Sequence, residues 1–105
     1  MTGTGTMVAW KHEQGSFQCV NCLGASAEAV KTGAVRRQWR EYDRDRRLLN
    51  SFVEEMRDGA QVVLRDEGRD IAVLLRSDLC GIRTANEQNF RQLYGGSFMS
   101  IIDCT

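Results

Sequence analysis

The most familiar chemical spacing in this chain is the Cys-x-x-Cys pair formed by Cys19 and Cys22. Such a pair can supply two thiolate ligands to zinc or act as a redox dithiol. His12, the only histidine, precedes the pair and would be the first further ligand. If residues 16–23 form a regular strand, however, positions 19 and 22 point to opposite faces and cannot grip one ion. We therefore predict no metal, no cofactor, ordinary reduced thiols and a surface histidine, with a small zinc-binding domain as an alternative.

A second candidate set consists of charged residues on an otherwise apolar face: Glu54, Asp66 and Arg69. A charge buried without a partner is very costly, so Arg69 is expected to pair with Asp66, Glu54 or both. The favoured interpretation is an ion-paired lock at the mouth of the core. The functional alternative is that these charged side chains bind a ligand inside a cavity, with Trp39 as an apolar wall. We predict Trp39, Glu54, Asp66 and Arg69 as binding residues and no catalytic residue.

A β-hairpin positions the last two of these residues. Apolar and polar residues alternate through Gln61–Arg65 and again through Asp70–Arg76, which is the two-residue period of a strand. A tight turn at Glu67-Gly68 would set Asp66 opposite Arg69 and give one entirely apolar face. We predict this hairpin as the centre of the fold.

The segment that carries Glu54 fits two structures. As a strand, Phe52, Glu54 and Met56 share one face and a loop at 58–60 leads into the hairpin. As a helix at about 46–57, the apolar residues form a stripe and Gly59 is a natural C-terminal cap.

A resemblance favours the strand. The residues that carry it are Trp39-x-Glu41, then Phe52-x-Glu54-x-x-Arg57-Asp58-x-x-x-Val62-x-Leu64-x-Asp66-x-x-Arg69-x-Ile71-x-Val73-x-Leu75. This set resembles a family of small, mostly uncharacterised β proteins with the signature W-x-E, then F-x-E-x-x-R-D-x-x-x-V-x-L-x-D-x-S-R-x-V-x-V-x-L. Gly68 stands where the family usually has Ser. The resemblance implies a β-meander and supplies no catalytic residues.

The other segments fit the same architecture. We expect further strands near 7–10, 16–23 and 34–42, a short helix or loop at 27–31, a charged turn at 43–47, and an irregular stretch at 77–88. Phe90, Gln92 and Tyr94 alternate before Gly95-Gly96 interrupts them, and an apolar run at 98–102 closes the sheet. The prediction is a mainly β, single-domain antiparallel meander at 7–105 that forms a small barrel or sandwich. A flexible N-terminal segment at 1–6 precedes it. The alternative is an α+β fold with a helix at about 46–57.

Composition limits the function classes. The 105 residues carry 14 basic and 14 acidic side chains, so the net charge of zero gives no general attraction for nucleic acid or membrane. We expect a cytoplasmic, non-catalytic domain, monomeric or homodimeric, that binds a small ligand or a protein. A DNA-binding antitoxin of the prevent-host-death type is the alternative, because the fragment 53–75 resembles the helix and two strands of those proteins. That interpretation requires the helix.

Overall fold

Eight β-strands follow one another around a closed antiparallel barrel in the computed structural model, which describes residues 7–22, 27–66 and 68–99. Each strand pairs with the next in sequence, and β8 returns to pair with β1. The mainly β meander predicted from the sequence is therefore confirmed as a barrel. The predicted flexible terminus at 1–6 and the end of the predicted run at 98–102 lie outside the described residues. The strands are β1 (Ala9–His12), β2 (Gly15–Cys19), β3 (Gln38–Asp43), β4 (Leu48–Arg57), β5 (Gln61–Asp66), β6 (Ile71–Arg76), β7 (Leu79–Thr84) and β8 (Arg91–Phe98), with one helix, α1 (Ala27–Lys31), between β2 and β3.

The meander gives the barrel two distinct ends. The hairpin end carries the turns at 13–14, 44–47, 67–70 and 85–90, because alternate connections in a meander lie at the same end. The crossover end carries the β2–β3 connection with α1, and the turns at 58–60 and 77–78.

Large apolar side chains fill the barrel interior. An eight-stranded barrel has an interior just wide enough for side chains to fill, and the largest fully buried ones come from six different strands. Each buried aromatic or aliphatic side chain stabilises the fold by about 1.5–3 kcal/mol relative to exposure. The fully buried core residues are Trp10, Phe17, Trp39, Val62, Leu64, Leu75 and Cys80.

Residues 48–57 form strand β4, which confirms the strand favoured for this segment and excludes the alternative helix at about 46–57. The strand is favoured because it has a partner on each side: Trp39 pairs with Phe52, and Glu54 pairs with Leu64. A β-bulge at Glu55 then shifts the register, so that Arg57 rather than Met56 lies opposite Val62. Met56 is consequently 44% exposed, and Arg57 takes the inward place that simple alternation gave to Met56.

The central hairpin is present, but its register differs from the prediction by two residues. Asp66 pairs with Ile71 rather than Arg69, and the connection is four residues long. Asp66 stabilises this longer turn because its Oδ1 accepts the Gly68 N–H at 2.9 Å and its carbonyl accepts the Asp70 N–H at 3.1 Å. A shift of two preserves the faces, so the predicted apolar face survives while Arg69 moves from the strand into the turn.

Two segments predicted to be irregular are strands. The stretch at 77–88 contains β7, and Gly95-Gly96 continues β8 instead of interrupting it. Gly96 faces Trp10, and a Cβ at this position would lie 2.7 Å from the indole ring and would collide with the Lys11 carbonyl. Glycine is therefore required here by close packing against β1.

The first two strands are also displaced from their predicted positions. β1 begins at Ala9 and continues to His12, and β2 starts at Gly15, one residue before the predicted segment at 16–23. β2 then ends at Cys19 rather than continuing to residue 23. Of the short helix and the loop that the sequence allowed at 27–31, the structure has the helix, α1. The early end of β2 decides the chemistry of the cysteine pair.

Candidate functional site

Glu54 lies inside the barrel toward the crossover end, where it accepts four hydrogen bonds. Oε1 accepts from the Trp39 indole N–H at 3.0 Å and from Arg57 Nη2 at 2.8 Å. Oε2 accepts from Arg57 Nε and from Arg37 Nη1, both at 3.0 Å. The carboxylate side chain is only 4% exposed, and its two arginine partners are 14% and 19% exposed.

We call these four residues the Glu54 cluster: Glu54, Trp39, Arg37 and Arg57. Their geometry is that of a hydrogen-bonded cluster that stabilises the fold. All four hydrogen bonds reach the carboxylate from within the protein, and Trp39 is fully buried. Glu54 also contributes to the lining of a 620 Å³ groove beside α1, but its carboxylate side chain is only 4% exposed. Arg57 also donates to the Met7 carbonyl at 2.9 Å, which ties the start of the described chain to β4. The predicted role of Glu54 and Trp39 as ligand-binding residues therefore stays a prediction.

Asp66 and Arg69 belong to a different cluster, at the hairpin end. Arg69 Nε donates to Asp66 Oδ2 at 2.8 Å, while its Nη2 donates to Asn50 Oδ1 at 2.5 Å. Asn50 in turn donates to Glu41 Oε1 at 2.8 Å inside the barrel. Of the two pairings predicted for Arg69, the structure has the one with Asp66, whereas Glu54 pairs with Arg37 and Arg57.

Asp66 is held as a carboxylate by its neighbours. Burial acts to raise its pKa, but the hydrogen bond from Arg69 and the Gly68 N–H outweigh that effect and place the pKa below its ordinary value. Arg69 itself is 50% exposed, so this pair is open to water and screened by it. The predicted four-residue site is thus divided between the two ends of the barrel.

His12 is buried in the barrel, and the prediction of a surface histidine is wrong. Its ring stacks on Tyr94 at a centroid distance of 3.8 Å and also contacts Trp10 and Phe17. Nδ1 accepts the Gln14 N–H at 3.1 Å, which makes Nε2 the protonated nitrogen of the neutral ring. Burial lowers the pKa of His12 below 6.5 because the imidazolium form loses hydration. His12 therefore acts as an aromatic core residue with one hydrogen-bond acceptor.

Cys19 and Cys22 are joined by a disulfide, with their Cα atoms 5.6 Å apart. The expectation of two ordinary reduced thiols on opposite faces of a strand is wrong for this pair, because β2 ends at Cys19 and the chain turns through Val20 and Asn21. Asn21 stabilises the turn, since its amide donates to the Arg36 carbonyl at 2.9 Å and accepts the Gln38 N–H at 2.8 Å. As a disulfide, the pair presents no thiolate to a metal.

A groove of 780 Å³ runs along the outside of the barrel. It crosses the outer faces of β1, β2 and β3. Strand pairing places four outward residues in one row across β8, β1, β2 and β3: Ser97, Lys11, Ser16 and Tyr42. Neighbouring strands are about 4.8 Å apart, so the row of four spans roughly 14 Å. Of these residues, Lys11, Ser16 and Tyr42 line the groove.

Charged residues of the two adjacent hairpins complete this outer groove. Arg44 and Arg46 line it from the β3–β4 turn, and Glu13 and Asp43 line it on the same side. Asp43 Oδ1 accepts the backbone N–H groups of Asp45 and Arg47, so this carboxylate serves to shape the turn. In the described part of the chain, Lys11, Arg44 and Arg46 form no ion pair. The groove therefore combines three cations, which form no ion pair with the described residues, with two carboxylates and with hydroxyl and amide groups.

Sequence reasoning missed both Arg37 and the outer groove. Arg37 precedes β3 and reaches Glu54 because the Glu54 N–H donates to the Arg37 carbonyl at 2.8 Å. Such a contact between distant segments has no local sequence signal. Lys11, Ser16 and Tyr42 alternate with buried residues on their strands, which marks them as outward, but only the strand pairing aligns them.

Comparison with protein-family models found no matching family, and comparisons with curated proteins and with solved structures found no significant match. The resemblance to the W-x-E family of β proteins therefore stays a prediction. Nowhere in the described part of the chain do three His, Cys, Asp or Glu side chains come together as a metal site would require. Within residues 7–22, 27–66 and 68–99, no helix has the length and apolar character needed to cross a membrane.

Proposed function

We propose that this protein is a non-catalytic binding barrel whose ligand is a small organic anion with hydrogen-bonding groups. The proposal rests on one observation: Lys11, Arg44 and Arg46 face the outer groove without carboxylate partners in the described chain, beside the hydroxyl groups of Ser16 and Tyr42. A phosphate or carboxylate accepts charge-assisted hydrogen bonds from such cations. The neighbouring hydroxyl row suits the polar remainder of the ligand, and a phosphorylated sugar fits both requirements.

The outer surface is favoured over the interior because the core residues already fill the barrel. A ligand-binding barrel keeps its interior open. Here that space is occupied by fully buried side chains: Trp10, Trp39, Phe17 and Leu64. The buried carboxylate toward the crossover end, Glu54, already accepts four internal hydrogen bonds. A closed barrel also offers no free strand edge to a peptide.

Charge in the outer groove supports weak, salt-dependent binding. Exposed cations gain modest energy from an anion, and this energy is screened within about 10 Å at 0.1 M salt. Glu13 and Asp43, which share the groove, would accept hydrogen bonds from ligand hydroxyls and disfavour ligands of high negative charge. These carboxylates and the zero net charge argue against nucleic acid as the partner.

The alternatives are less well supported. An antitoxin of the prevent-host-death type needs a helix where β4 lies, and a zinc-binding domain needs thiolates where the disulfide lies. Cytoplasmic residence, a monomeric or homodimeric state and the absence of catalysis remain our predictions from the sequence.

Isothermal titration calorimetry tests the proposal, with glucose 6-phosphate as the ligand and glucose as its uncharged control. We expect glucose 6-phosphate alone to bind, and binding to weaken as salt is raised. Lys11→Ala and Arg44→Ala should each weaken it severalfold. Arg91→Ala is the matched control, because Arg91 is an exposed arginine on β8 that pairs with Glu87 away from the groove. Equal binding of both sugars, or equal loss in all three variants, would contradict an anion site in the outer groove.

A further inference from the structure

The Cys19–Cys22 disulfide lies beside the positively charged side chain of Arg57. A disulfide that only stabilised the fold would not need such a neighbour. Arg57 Nη2 is 3.7 Å from Cys22 Sγ. The same guanidinium is held by Glu54 and the Met7 carbonyl, so it is fixed next to the sulfur. We propose that Cys19 and Cys22 form a reversible dithiol–disulfide site that exchanges electrons with small thiols, with Cys22 as the sulfur that leaves as a thiolate.

Local charge favours a thiolate at Cys22. The two arginines of the Glu54 cluster carry two positive charges against the single negative charge of Glu54, so the cluster has a net charge of +1. A cysteine beside an arginine has a lowered pKa, which stabilises the thiolate and makes it a better leaving group. Because Glu54 holds Arg57 through both Nε and Nη2, the guanidinium stays in place when the disulfide opens.

The exchange proceeds in two balanced steps. The thiolate of a small thiol attacks Cys19 Sγ, a mixed disulfide forms between them, and the Cys19–Cys22 bond breaks to release the Cys22 thiolate beside Arg57. A second thiol, as its thiolate, then attacks the sulfur of the small molecule in the mixed disulfide. This step releases Cys19 as a thiolate, which takes up a proton, and yields the disulfide of the small thiol. Two electrons pass from the two thiols to the protein.

The position of Cys19 and Cys22 in the fold is compatible with reversible opening of their disulfide. Cys19, at the end of β2, and Cys22, in the turn that follows, are partly exposed residues that pack against the core. The surrounding turn is held independently by the two hydrogen bonds of the Asn21 side chain. Opening the disulfide therefore leaves β2 and β3 connected. Cys80 provides an internal contrast, because it is fully buried, and burial together with the charge of Glu41 raises its pKa to about 12.

The test uses the full chain with Cys104→Ser, so that Cys104, which lies outside the described residues, does not react. The protein is equilibrated with glutathione at stated ratios of reduced to oxidised forms, and trapped thiols are counted by peptide mass mapping. We expect Cys19 and Cys22 to interconvert fully between disulfide and dithiol with an unchanged far-ultraviolet circular dichroism spectrum. A pair that stays oxidised in excess dithiothreitol, or a chain that unfolds on reduction, would overturn the proposal.

The role of Arg57 is tested by the pH dependence of iodoacetamide alkylation at Cys22 in the reduced protein. We expect a midpoint clearly below 8.5, the ordinary value for cysteine. Arg57→Gln should lower the alkylation rate at pH 7 by roughly tenfold, which corresponds to a rise of about one pKa unit, whereas Arg57→Lys should largely restore it. Arg65→Gln, on the outer face of β5, is the control. If Arg57→Gln does not fold, the wild-type midpoint decides alone: a value at or above 8.5 refutes the proposal.

Discussion

Replacing Glu54 by alanine should destabilise the protein strongly. The change removes both oxygens of a carboxylate that is 4% exposed and leaves Arg37, Arg57 and the Trp39 indole N–H without their partner. Breaking a buried ion pair by removing one partner costs on the order of 3–5 kcal/mol, because the remaining charge stays buried without compensation. We expect the free energy of unfolding to fall by about that amount.

Urea denaturation followed by tryptophan fluorescence measures this loss, since Trp39 contacts Glu54 directly. The neighbouring Glu55 supplies the matched control. Its carboxylate is 43% exposed and lies 3.4 Å from Arg65 on the outer surface, so Glu55→Ala should cost less than about 1 kcal/mol. If Glu54→Ala and Glu55→Ala have equally small effects, Glu54 does not lie inward between the two arginines, and the bulge that places Arg57 there is wrong.

Two further predictions concern the hairpin end of the barrel. Arg69→Ala should reduce stability by about 1 kcal/mol or less in the same assay, because half of the Arg69 side chain is exposed. A loss above about 3 kcal/mol would contradict this and indicate that the ion pair with Asp66 is well buried. The lowered pKa of His12 makes the unfolded chain bind more protons than the folded chain between the folded pKa and 6.5. Its contribution to stability is therefore complete above 6.5 and decreases as the pH falls through that window, by at most about 1.4 kcal/mol per pH unit. Urea melts at about pH 5 and about pH 7.5 should show this loss in the wild type and less of it in His12→Phe.

Alternation in the sequence predicts the strands well, because inward and outward positions on a regular strand differ in polarity. It identifies Val62, Leu64, Val73 and Leu75 as one core face, and the structure buries all four. A bulge leaves no such mark, since it inserts one residue without changing the residue types on either side. The inward position of Arg57 was therefore not predictable from alternation.

The cysteine pair shows how chemistry depends on where a strand ends. Had β2 continued to residue 23, the two sulfurs would have pointed to opposite faces, but a strand that ends at Cys19 brings them together. The end of β2 follows from the pairing of Cys19 with Trp39 and from the clamp made by Asn21. Both contacts join segments that are distant in sequence, so the local pattern could not supply them.

The central claim is that a filled barrel binds a small organic anion on its outer surface. The most direct measurement is a two-dimensional ¹H–¹⁵N NMR titration with glucose 6-phosphate. We predict shifts of the backbone amides of Lys11, Ser16 and Arg44 along the outer groove, with the indole N–H signals of the buried Trp10 and Trp39 unchanged. Large shifts of the two indole signals, with the groove amides unmoved, would place the ligand inside the barrel and contradict the account.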